Sequence, residues 1–137
     1  MVLIYVGGPH TLGKTTAIKL ASEKLGPLFY YIRGAEFLKK KFRKSFSGKK
    51  FGEQTNREMQ KFIEEAALEI RDLARKYPEK LIVVDGHFVI NRIRHDASIF
   101  TQLIPECAKY FDGIVLIKGN PLVIQERRQN RLEMRRR

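Results

Sequence analysis

The sequence predicts an α/β fold in three layers, a mostly parallel central sheet flanked by helices, built as a single domain over 1–137. Three observations carry that reading. Strand-length apolar runs recur at 2–6, 28–32, 81–86 and 113–119. Stretches with apolar residues at three- and four-residue spacing lie between them, as alternating strands and helices require. The first strand leads directly into "GGPHTLGKTT", a glycine-rich loop that opens a helix.

Each element follows from local pattern. Residues 2–6 read as a buried strand, 14–25 as a helix and "LFYYI" at 28–32 as an aromatic and β-branched strand. A short helix is expected from Arg33 to Lys44, then a loop marked by the serines and glycines of "SFSGKKFGE". Between Glu53 and Lys76, the residues Met59, Phe62, Ile63, Ala66, Ala67, Ile70, Leu73 and Ala74 form one apolar stripe on a long helix, with Pro78 just past its end. "LIVVDG" at 81–86 and "GIVLIKG" at 113–119 do not alternate, as expected of strands covered on both faces. A helix is expected between them, around 99–110, and a last one opens at Pro121 and runs into a basic end.

Bulk properties narrow the function. A chain of 137 residues with 43% hydrophobic and 31% charged content suits one soluble globule. Its longest apolar runs are about five residues against the roughly 20 needed to cross a bilayer, and its start carries no basic leader, so no membrane association and a cytoplasmic location are expected. The single cysteine, Cys107, excludes an internal disulfide and reads as a buried thiol. A formal net charge of +12 favours anionic partners, either nucleic acid or small phosphate esters.

Chemistry concentrates in the opening loop. Gly8, Gly13, Lys14 and Thr15 satisfy G-x-x-x-x-G-K-[ST] between a strand and a helix. Glycines let successive backbone N–H groups point at phosphate oxygens, and the helix start adds partial positive charge. Lys14 is suited to the β- and γ-phosphates, Thr15 to Mg²⁺, and Thr16 follows on the same helix start. Asp85 ends a central strand, where a carboxylate faces the same crevice and suits a magnesium-bound water. His87 either contacts substrate or pins its loop, and His10 is given no chemistry. Arg127, Arg128 and Arg131 share one side of the last helix and form either a phosphoryl clamp or a solvated basic end. The segment 39–50, "KKKFRKSFSGKK", carries seven basic residues, with Phe42 and Phe46 among them. It suits an RNA backbone, a small anionic substrate or plain solvent.

Taken in order, four features resemble the nucleoside monophosphate kinases, most closely the archaeal-type adenylate kinases. They are the loop Gly8 to Thr15, the helix "REMQKFIEEAALEI", the strand "LIVVDGH" and "NPLVIQERRQNR" leading into an arginine-rich lid. The resemblance implies a P-loop NTPase fold and transfer of phosphate from ATP to a monophosphate. Lys14, Thr15 and Asp85 would serve ATP and Mg²⁺, and Arg127, Arg128 and Arg131 would approach ATP from a lid at 127–137. Residues 33–57, within a segment 33–76, would cover the acceptor, whose phosphate Arg33, Arg57, Arg92 or Arg94 could grip. The loop departs from the family at Thr11, where a glycine is usual, and at Pro9. Compared with the family, the chain stops at "RLEMRRR" without the last strand and helix. That implies a bare sheet edge, with either pairing into a homo-oligomer through it or a fragment of weakened stability, and reduced turnover. The alternatives are an RNA- or ribosome-assembly-associated ATPase and a nucleotide-binding module with little turnover.

Overall fold

The computed structural model describes residues 2–8, 13–46, 48–50, 53–87, 89–94, 97–102 and 107–136, the side chains of 89–94, 97–102 and 136 excepted. Four strands form an all-parallel sheet: β1 (Val2–Gly7), β2 (Phe29–Arg33), β3 (Leu81–Gly86) and β6 (Gly113–Leu116), in the order β2-β3-β1-β6. β4 (Val89–Arg94) and β5 (Ala97–Gln102) make a separate antiparallel hairpin. The helices are α1 (Lys14–Leu25), α2 (Gly34–Ser45), α3 (Asn56–Ala74) and α4 (Pro121–Arg136). The predicted α/β architecture is present.

α3 shows how sequence makes structure here. Thr55 accepts a hydrogen bond from the Glu58 backbone N–H while the Glu58 carboxylate accepts one from the Thr55 N–H, both at 3.1 Å. This reciprocal pair satisfies two N–H groups that a helix start otherwise leaves without partners. Beyond the cap, Met59, Phe62, Ile63, Ala66, Ala67, Ile70 and Ala74 are buried along one stripe. Ile70 and Ala74 pack with Leu3, Ile82 and Val84 of the central strands. Met59, Phe62 and Ile63 pack with Phe42 of α2 and with Cys107, the buried thiol the sequence predicts. α1 lies over the opposite face, where Ile18 meets Val6 and Val83.

The register sets up a site. Val6 and Arg33 both pair with Asp85, and Gly7 pairs with Gly86 and with Leu116. Parallel strands in this register finish at one level, so their carboxyl ends share a crevice.

Two expectations are corrected. The helix expected around 99–110 is corrected at its start: 97–102 is β5, 103–106 lie outside the described residues, Cys107 is helical and Ala108–Tyr110 form a 3₁₀ turn. Ile99, Phe100 and Thr101 suit a strand, and 97–102 pairs antiparallel with 89–94 across a two-residue connection, a hairpin length. The run 113–119 forms a strand only at Gly113–Leu116, and it is an edge strand rather than a covered one. Ile114, Val115 and Leu116 are 41–49% exposed, because among the described residues nothing lies beyond β6. No helix among the described residues is long and apolar enough to cross a membrane.

Core and edge should therefore respond differently to truncation. Ile82 is fully buried, and Ile82→Ala should cost about 3 kcal/mol of stability in urea unfolding. Leu116→Ala, at the exposed edge, should change it by no more than about 0.5 kcal/mol.

Candidate active site

The exit of β1 and the start of α1 form the floor of the site. Gly8 has φ 156°, and a Cβ placed there would lie 2.6 Å from the Ile117 carbonyl oxygen, so only glycine fits. Gly13 adopts the left-handed region at φ 78° and leads into α1. Residues 9–12, with Pro9, His10 and Thr11, lie outside the described residues. Unlike α3, α1 has no side-chain cap and no acidic residue in its first turn. Its leading N–H groups and the positive end of its dipole are thus directed to whatever anion approaches.

Lys14 is nearly buried, which an ammonium tolerates only with partners. Its Nζ donates to the Gly86 carbonyl oxygen at 3.0 Å and lies 3.5 Å from Asp85 Oδ1. The other carboxylate oxygen, Oδ2, accepts from the Tyr31 hydroxyl. The Tyr31 phenol is pushed up to about 12, first by burial, then by the hydrogen bond to Asp85 and its charge, with Arg33 working in the opposite direction. Tyr31 therefore keeps its proton and remains a donor. Nearby, the Tyr5 hydroxyl donates to the His87 carbonyl oxygen at 2.6 Å. Burial, then the proximity of Cys107 and Asp85, raise the Tyr5 phenol well above its usual range.

Glycines allow the strand ends this close approach. A Cβ on Gly34 would sit 2.3 Å from the Asp85 carbonyl oxygen, and one on Gly86 would sit 2.2 Å from the Tyr5 hydroxyl. These contacts bring the first turn of α2 against the end of β3.

Beside these groups opens a cavity of about 770 Å³ between α2, α3 and the strand ends. Phe42, Ile63, Ala67, Ile70 and Phe111 form its apolar wall, Arg33, Lys39, Arg43 and Lys49 bring positive charge, and Thr15, Asp85 and His87 reach it from the phosphate-loop side. A flat apolar group with an anionic end suits such a lining. The Thr15 hydroxyl and the Asp85 carboxylate are hard oxygen donors of the kind Mg²⁺ takes.

The predicted residues divide accordingly. Lys14 and Asp85 are in contact, and Thr15, Arg33 and His87 line the cavity. Thr16 is exposed on α1, and Arg57 is exposed on the first turn of α3; neither lines the cavity. Arg92 and Arg94 lie on β4, their side chains outside the described residues. Arg127, Arg128 and Arg131 are on α4, exposed; Arg127 and Arg131 share a groove with Asn130, Met134 and Arg135, and no α4 residue lines the larger cavity. Phe42 and Phe46 turn inward, their rings tilted against each other at 5.0 Å and edge-on to Phe62. Sequence reasoning missed Tyr5 and Tyr31. The available signal was position: both are tyrosines within or near the ends of strands that flank the Asp85 strand.

A protein-family model described as "AAA domain" matches residues 7–137. No curated protein matches the chain.

The Lys14–Asp85 contact generates a stability prediction. Asp85→Ala strips a nearly buried ammonium of its counterion and should cost about 3 kcal/mol in urea unfolding. Removing the ammonium as well, in Lys14→Ala/Asp85→Ala, should restore at least about 1 kcal/mol, since the two groups act on each other.

Proposed function

The chain belongs to the AAA domain family, and we propose that it is an adenylate kinase-like nucleoside monophosphate kinase, moving the γ-phosphoryl group of ATP to a monophosphate in the presence of Mg²⁺. The P-loop nucleotide-binding fold is in place. The finer reading rests on one observation: the cavity beside Thr15 and Asp85 joins an apolar wall to a positively charged rim. That combination suits an acceptor with a flat base and a phosphate.

In this reading each group has a task. Backbone N–H groups at the start of α1 and the Lys14 ammonium hold the triphosphate. Thr15 and Asp85 would hold Mg²⁺, which on binding supplies charge neutralisation at the phosphates. Arg33, with Lys39 and Arg43, grips the acceptor phosphate from the 33–76 segment. Arg127, Arg128 and Arg131 form the start of a lid over 127–137 that approaches ATP when α4 swings in. No covalent intermediate is required: alignment and charge neutralisation carry phosphoryl transfer, and exclusion of water prevents hydrolysis.

The basic segment 39–50 favours this reading over an RNA-dependent ATPase. Lys39, Arg43 and Lys49 line the cavity, and Lys41 is drawn to Glu69 at 2.5 Å and Glu65 at 3.7 Å. Of the rings that would stack on bases, Phe42 is buried in the apolar core and Phe46, partly buried, packs against it.

Incubation with ATP, Mg²⁺ and a panel of monophosphates should yield ADP together with a diphosphate of one acceptor. Phosphate release stimulated by RNA, without any diphosphate, would support the ATPase instead. Lys14→Ala should lower turnover by about 10²–10³-fold. Arg33→Ala should raise the acceptor KM by about tenfold or more while the KM for ATP changes little.

A further inference from the structure

Asp85 has two carboxylate oxygens, and both are engaged: Oδ1 with Lys14 and Oδ2 with Tyr31. In the functional reading above Lys14 turns to the phosphates, and Asp85 Oδ1 then loses this partner. Once it leaves, nothing from the lysine fixes the carboxylate torsion, and only the Tyr31 bond remains of the two contacts. We propose, building on the functional reading above, that Tyr31 is a positioning residue for the magnesium site, holding Asp85 Oδ2 so that Oδ1 is the oxygen presented when Lys14 turns to the nucleotide.

The surroundings of Tyr31 suit that task. Its ring is partly buried, packing against the cluster of Val6, Ile18 and Val83 on the α1 face of the sheet, and that contact restrains its orientation. Tyrosine has only two side-chain torsions, and packing around the ring restrains both. The residue stands on β2, whose register brings Arg33 opposite Asp85. Residues 31 and 33 point to the same face of the strand, and the Arg33 guanidinium lies close enough to oppose the rise in the Tyr31 phenol. A polar row therefore runs from Arg33 at the acceptor cavity through Tyr31 and Asp85 to Lys14. Residues that orient a metal-binding carboxylate commonly contribute 10–100-fold to metal affinity or activity.

Tyr31→Phe removes the hydroxyl and keeps the ring. The test is calorimetric titration of a non-hydrolysable ATP analogue into the full chain, with and without Mg²⁺, with melting temperature measured alongside. In the native protein, Mg²⁺ should tighten analogue binding. In Tyr31→Phe that tightening should shrink about tenfold or more, while metal-free affinity and melting temperature stay within error of native. In an Asp85→Asn background, Tyr31→Phe should have no further effect. Full magnesium tightening in Tyr31→Phe would overturn the proposal. So would a parallel loss of metal-free and metal-dependent binding, which would mark Tyr31 as a structural prop only. Binding with no acceptor phosphorylation would sink the kinase reading and leave this one standing. Absence of any analogue binding by the native protein would sink both.

Discussion

A lysine ammonium, nearly removed from water at the start of α1, rests between a carboxylate and a backbone carbonyl at the end of β3. This contact organises the structure around it. The ammonium needs partners because an unpaired charge at that depth is costly. It finds them only because the parallel register of β1 on β3 places Val6 beside Asp85 and Gly7 beside Gly86. The contact is also the kind that an anionic ligand can take over, because a triphosphate offers the ammonium more negative charge than one carboxylate does.

The rest of the fold serves that juncture. Val6 and Val83 hold the strand ends level on the α1 face, and Leu3, Ile82, Val84, Ile70 and Ala74 do so on the α3 face. Gly34 and Gly86 let α2 and the Tyr5 hydroxyl come within distances that a side chain at either position would prevent. The cavity is a consequence: α2 leaves β2 directly above the end of β3, and α3 closes the far wall. Lys39 and Arg43 of its positive rim stand on the same helix, whose first residue, Gly34, packs against the end of β3.

Much of this was legible in the sequence. Unalternating runs gave β1 and β3, the three- and four-residue stripe gave α3, and the glycine-lysine-threonine pattern placed Lys14 and Thr15 at a helix start. Those signals are local, and the physics behind them is local too. The hairpin of β4 and β5 was not legible, since a short apolar run such as that around Ile99 and Phe100 does not by itself separate strand from helix, and pairing with 89–94 decides. β6 read as a covered strand because apolarity says what a strand could bury, not what stands next to it. Tyr31 was hidden for a related reason: its partner is 54 residues away, and only strand order brings them together. The inward turn of Phe42 and Phe46 likewise depends on Phe62, a residue from another helix.

The central claim is that Lys14 and Asp85, in contact here, separate to receive nucleotide and metal. A crystal structure of the full chain with Mg²⁺ and a non-hydrolysable ATP analogue tests it most directly. The account predicts Lys14 Nζ on the β- and γ-phosphate oxygens, with Asp85 turned to the magnesium shell and still bonded to Tyr31. A nucleotide bound elsewhere, with Lys14 still at its present 3.5 Å from Asp85, would contradict it.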